Sequence, residues 1–247
     1  MENQTISSQL KLPSAGELLK QAIEIYKSGF KKFIVLQFVP LFSIVPFIII
    51  LVSWGGLNII LKNSLNLSIA NIISAALGFL ALIFAIFLSL LSQIGILLFL
   101  KNFDKAKKIK ELIVEARPFL INFISVSLLV GLVCFFGLIL FIIPGIIWVV
   151  WFSFAIYVYI FEGIKGWSAL KRSKELVKGH WWPVALRSLV IILISLLISL
   201  PMTFFSKDSA ASNVYSSLSS IIKFLISPIF IIYPYLIYKN LVKIKNG

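Results

Sequence analysis

Residues 119–142 read FLINFISVSLLVGLVCFFGLILFI, a run without one charged side chain. As an α-helix such a run crosses the bilayer's hydrocarbon core, which takes about 20 apolar residues at about 1.5 Å each. Inside lipid the backbone must satisfy its own polar groups, so helix is the only economical conformation for it. Five more segments share its character, at residues 33–54, 72–100, 146–161, 182–204 and 218–238. The fourth is short and is expected to draw in Pro144 and Gly145 or the residues after it.

The whole chain agrees with its most apolar stretch. Of 247 residues, 60% are hydrophobic and 13% charged, against about a quarter charged in ordinary globular domains. Mean hydropathy is +1.04. The net charge of +14 would suggest nucleic acid in a soluble protein. Here the basic residues fall in short clusters between apolar runs, with no recognition module among them, so a membrane surface is the expected partner and nucleic acid is not. Cys134, the single cysteine, lies within residues 119–142, which removes any intramolecular disulfide or cysteine zinc cluster. The first 28 residues carry Glu17, Glu24 and several lysines without an apolar core, so no cleaved signal peptide is expected.

The clusters alternate. Lys11, Lys20, Lys27, Lys31 and Lys32 precede the first segment; Lys101, Lys105, Lys107, Lys108, Lys110 and Arg117 follow the second. Lys165, Lys171, Arg172, Lys174 and Lys178 follow the fourth, and Lys239, Lys243 and Lys245 follow the sixth. The intervening loops hold Lys62 and Lys207. Because basic loops stay on the cytoplasmic side, both termini and the two basic loops are expected there, in the plasma membrane of the cell.

Three basic stretches are also patterned, approximately at residues 14–28, 105–117 and 166–179. Ala15, Leu18, Leu19, Ala22 and Tyr26 recur at helical spacing behind Ser14, which with Glu17 has the form of a capping box. Ala106, Ile109, Leu112, Ile113 and Ala116 line one face of the second, and Ala169, Leu170, Ser173, Leu176 and Val177 one face of the third. The expected fold is therefore all-α: a single polytopic membrane domain of about six transmembrane helices, with three amphipathic helices lying at the cytoplasmic interface and attracted to anionic head groups.

Chemistry has few candidates. His180 is the one histidine, and of nine acidic residues none falls mid-membrane, which removes the usual mark of proton relays and intramembrane proteases. No catalytic, cofactor or metal site is expected. Arg187 and Lys223 are the charges inside apolar segments; each can snorkel to an interface, or Lys223 can face inward and hold an anion such as a lipid phosphate. PLFSIVPF, with Pro40 and Pro46, is echoed by PIFIIYPY, with Pro228 and Pro234. Proline interrupts and bends a helix, and two bent helices entering from opposite sides would also suit a transporter's central site.

The stretch from Ile143 to Trp182, IPGIIWVVWFSFAIYVYIFEGIKGWSALKRSKELVKGHWW, resembles the membrane domain found with some bacterial glycerophosphoryl diester phosphodiesterases and related uncharacterised multi-pass families of bacteria and archaea. The likeness rests on Pro144 and Gly145 opening a helix that ends at Glu162, on Ala169, Leu170 and Ser173, and on the turn Lys178, Gly179, Trp181, Trp182. It implies a stand-alone membrane domain, because the family's catalytic barrel brings its own histidine and metal-binding carboxylates. The residues themselves give reasons for the motif. Glu162 stands near Lys165 and within reach of Arg172 if the chain folds back, Ser173 allows close packing, Gly179 can end a helix left-handed, and Trp181 and Trp182 can anchor at head-group level. The expected role is a non-catalytic scaffold or accessory protein engaging anionic phospholipid. A transporter or flippase-like protein, or an interfacial lipid-modifying enzyme built on Glu162 and His180, are the alternatives, and a protein partner or a second copy stays open.

Overall fold

The computed structural model describes residues 12–43, 45–46, 48–49, 52, 67–103, 107–140, 142–199 and 210–246. Among them the secondary structure is entirely helical. Five stretches are long and apolar enough to cross a membrane: Ala75–Lys101, Ile109–Leu140, Ile142–Glu162, Trp181–Ile198 and Val214–Asn246. That composition fits a multi-pass membrane protein. The expected first span, residues 33–54, is not among these five: its helix is interrupted after Phe38, helical residues return at 45–46, 48–49 and 52, and the rest of its second half lies outside the described residues, as do residues 105–106 of the second amphipathic stretch and 200–204 of the fifth span.

Two compact units form, one from Met1–Phe30 with Ile121–Gly247 and one from Lys31–Leu120. The smaller begins in helix α2, Phe30–Phe38, after α1, Ala15–Ser28, of the other unit. Pro40 explains why α2 stops. It has no N–H to give the carbonyl of Leu36, four residues back, and the chain tightens into a 3₁₀ turn over Val39–Ser43. The orphaned Leu36 carbonyl accepts the hydroxyl of Ser92 at 2.8 Å, from the middle of α3, Leu67–Lys101. Phe33 is fully buried edge-on to Phe99, centroids 4.9 Å apart, and the Lys32 ammonium lies 5.0 Å from the same ring. Helix α4, Ile109–Ala116, buries Leu112 and Ala116 as it packs on α3. A 3₁₀ turn over Arg117–Phe119 joins α4 to α5, Leu120–Leu140, so this amphipathic segment runs into the next span instead of standing apart from it.

In the larger unit, α5 turns back into α6, Ile142–Phe152. Pro144 sits in the first turn of α6, where a missing N–H costs nothing. Gly145 is required by approach: a Cβ there would stand 2.7 Å from the backbone of Leu138, so the two helices touch backbone to backbone. Helix α6 breaks at Ser153 and Phe154, and α7, Ala155–Glu162, continues. Helix α8, Gly166–Val177, then packs on α6, α7 and the last helix. Helix α9 is Trp181–Ser199, α10 is Ala210–Ile226 and α11 is Ile229–Asn246, with Ser227 and Pro228 interrupting the last pair. The apolar run extends beyond residue 238 because Leu241 remains buried one turn further on.

Helix α1 opens on a closed capping box, with Glu17 N–H donating to the Ser14 hydroxyl and Ser14 N–H donating to the Glu17 carboxylate at 2.8 Å. Those bonds from the Ser14 backbone and hydroxyl, with the Arg187 guanidinium as a smaller contributor, hold the Glu17 carboxyl below its usual range. Its apolar face, Leu18, Ala22 and Tyr26, is buried and α1 packs on α11. Burial pushes the Tyr26 phenol up. The apolar faces of α1 and α8 are thus covered by protein, where the sequence alone suggested lipid.

Candidate functional site

The motif residues gather around the broken helix α6–α7 and the helix that folds back onto it. Ala169, Leu170, Ser173, Leu176 and Val177 of α8 have no exposed surface at all. Complete burial of each leucine contributes about 1.5–3 kcal/mol, so the apolar face of α8 is a main hold on this unit. Ser173 does more than leave room. Its hydroxyl donates to the carbonyl of Trp151 at 2.7 Å and accepts from the N–H of Phe154 at 3.2 Å, taking two of the backbone groups that the break exposes. Without it, two polar groups would be buried in an apolar surround unpaired.

At the far end of α7, Glu162 is fully occupied. One carboxylate oxygen accepts from Arg172 Nε at 2.9 Å and the other from the Tyr238 hydroxyl at 2.9 Å, so α7, α8 and α11 meet at one side chain. Arg172 also lies 3.8 Å from the exposed carboxylate of Glu175. Tyr157 stacks on Tyr238 and donates to the carbonyl of Ile231 at 3.0 Å, and Phe161 stacks on Tyr235 at 4.8 Å. The pair with Arg172 is three-quarters buried, so its charges need each other more than surface charges do.

The closing turn of the motif holds a different chemistry. Helix α8 ends at Lys178, whose N–H donates to the Lys174 carbonyl at 2.9 Å. Gly179 follows at φ +88°, a conformation that a side chain would strain. Trp181 Nε1 donates to the Ile147 carbonyl at 3.4 Å, while Trp182 is 70% exposed with its ring edge-on to Trp181 at 4.7 Å. Lys178, Gly179 and the two tryptophans line a groove of about 520 Å³ together with Ile143, Ile146, Ile147 and Trp151. His180 lies half-buried beside it, and its Nδ1 has no hydrogen-bond partner among the described residues.

The remaining candidates stand outside this gathering. Arg187, in α9, gives Nε to the Pro13 carbonyl at 2.7 Å, one terminal nitrogen to Leu12 at 2.9 Å and the other to Pro183 at 2.8 Å. It ties down the segment before α1. Lys223 is half-buried in α10. Pro40 and Pro228 mark helix breaks, Pro234 lies within α11, and Pro46 is half-buried between positions outside the description. Among the described residues no cluster of histidine, cysteine and carboxylate side chains could hold a metal ion.

Several partners were not visible in the sequence. Tyr238, Tyr26 and Ser92 each act across long separations, Tyr26 by donating to the Leu225 carbonyl that the α10–α11 break leaves open. Lys174 places its ammonium 4.2 Å from the Trp151 ring, the one such link that helical spacing from Lys178 could have hinted at. No family model, curated protein or solved structure matches this chain.

Proposed function

We propose that this protein is a non-catalytic scaffold or accessory protein of the cytoplasmic membrane, with both termini and its basic helices facing the cytoplasm, where it engages anionic phospholipid. One observation carries the reading. The apolar face of α8 is consumed by its own protein, and its outward side carries Lys171 and Lys174, with Lys178 just past its end, beside the exposed Glu175; all three lysines are exposed and none is paired with a carboxylate among the described residues. Unpaired ammonium groups beside apolar helices attract an anionic leaflet by about 1 kcal/mol each. The state of Glu162 supports the absence of catalysis, since a carboxylate with both oxygens bound to Arg172 and Tyr238 is a fastener and not a free base. The resemblance to the membrane domain of glycerophosphoryl diester phosphodiesterases points the same way, toward a membrane module whose family keeps its chemistry elsewhere. No cofactor or metal belongs to this reading.

The test is extraction of the protein in native membrane discs followed by mass spectrometry of the accompanying lipid. Enrichment of anionic over zwitterionic phospholipid relative to bulk membrane is expected, and a profile equal to bulk refutes the reading. A transporter is the second reading, favoured by three interruptions in apolar helices, at Pro40, at Ser153–Phe154 and at Pro228. Substrate-dependent flux in liposomes, lost on Pro40→Ala with Pro228→Ala, would replace the scaffold with it.

A further inference from the structure

The groove beside α6 has two unlike ends. Its walls are side chains of Ile143, Ile146, Ile147, Trp151 and Trp181, and they are almost wholly apolar. Ile143 and Trp151 are eight residues apart on one helix, which sets the groove along about 12 Å of α6. Three ammonium groups stand beside the groove, that of Lys174 at its Trp151 end. Lys178 lines the groove, Lys245 of α11 donates to the Lys178 carbonyl at 3.0 Å, and Lys174 lies over the Trp151 ring. All three are exposed, and no carboxylate pairs with any of them among the described residues. At the other end Ile143 is 74% exposed on a helix apolar enough to lie in a bilayer.

We propose that this groove seats one anionic phospholipid, an acyl chain lying along Ile147, Ile146 and Ile143 and the phosphate held between Lys178 and Lys245. This rests on the anionic-lipid reading above and gives it a place. The volume, about 520 Å³, falls within the range of about 300–1,000 Å³ for small-molecule sites. The charge pattern selects the occupant. A soluble anion would leave the apolar walls uncovered. A second copy meeting this groove by two-fold symmetry would set Lys174, Lys178 and Lys245 against their own counterparts. A phospholipid satisfies both ends at once, with Trp182 exposed at head-group level beside it.

Native mass spectrometry of the full chain, transferred from detergent into mixed micelles of phosphatidylglycerol and phosphatidylcholine, tests the site. The wild type is expected to retain phosphatidylglycerol through activation that strips phosphatidylcholine. Lys178→Gln with Lys245→Gln is expected to hold one fewer, with at least tenfold weaker retention, and Ile146→Trp, which fills the groove without touching a charge, should do the same. Lys20→Gln, a charge change on α1 away from the groove, should leave the count unchanged. Equal retention in all variants overturns the site while leaving general anionic-lipid engagement standing. No phosphatidylglycerol preference in the wild type overturns both. Displacement of the bound lipid by inorganic phosphate alone, or retention by Ile146→Trp, contradicts the acyl-chain half of the proposal. Lys178→Gln alone keeps the bond from Lys245 to the Lys178 carbonyl, so a loss of retention in that variant reports the charge and not the link between helices.

Discussion

Single residues here act by what they give the backbone. Ser173 could be read in the sequence as a small residue in an apolar face, and it is one, with no exposed surface. Its hydroxyl could not be read, because the break it serves lies 19 and 22 residues away on another helix and follows no sequence rule. Ser173→Ala removes little volume and leaves the Trp151 carbonyl and the Phe154 N–H unpaired, each costing about 1–3 kcal/mol. Thermal unfolding in mild detergent should therefore show a clear drop for Ser173→Ala and none for Ser168→Ala, whose site is exposed. Gly145 is the opposite case: the sequence showed a Pro-Gly pair opening a helix, and the structure adds that a Cβ there would stand 2.7 Å from the Leu138 backbone.

At the scale of elements, three apolar helices are interrupted, and each interruption is closed by a hydroxyl from another element. Ser92 serves the carbonyl of Leu36 ahead of Pro40, Ser173 serves the α6–α7 break, and Tyr26 serves Leu225 ahead of Pro228. The physical reason is common to all three, since an apolar surround supplies no water to take the freed groups. The prolines were legible as interruptions; their partners were not, being fixed by packing of distant segments. A double-mutant cycle tests the pairing. Ser92→Ala alone should destabilise the fold by about 1–3 kcal/mol, and in a Pro40→Ala background, where an N–H can again reach Leu36, the same substitution should cost less. Additive effects, measured by thermal or denaturant unfolding in detergent, would show that Ser92 does not stand in for the missing proline N–H.

For the whole molecule, runs such as residues 119–142 made an all-helical, membrane-compatible chain legible without any motif, because hydrocarbon leaves the backbone few conformations. What the alternation of apolar and basic segments could not convey is that α1 and α8 bury their apolar faces against protein, or that the first span is interrupted by a 3₁₀ turn at Pro40. Those outcomes depend on contacts such as Glu162 with Arg172 and Tyr238, which join three helices across up to 76 residues. The scaffold role and the lipid site both require the proposed orientation, with every basic cluster on the inner side of the membrane. Replacement of Cys134, the one cysteine, by alanine gives a background in which single cysteines report sidedness. In that background, Lys20→Cys, Lys108→Cys, Lys171→Cys and Lys243→Cys should resist a membrane-impermeant maleimide in intact cells and react once the membrane is opened, while Lys62→Cys and Lys207→Cys should react in intact cells. Labelling of any of the first four in intact cells, or protection of both of the last two, would contradict it.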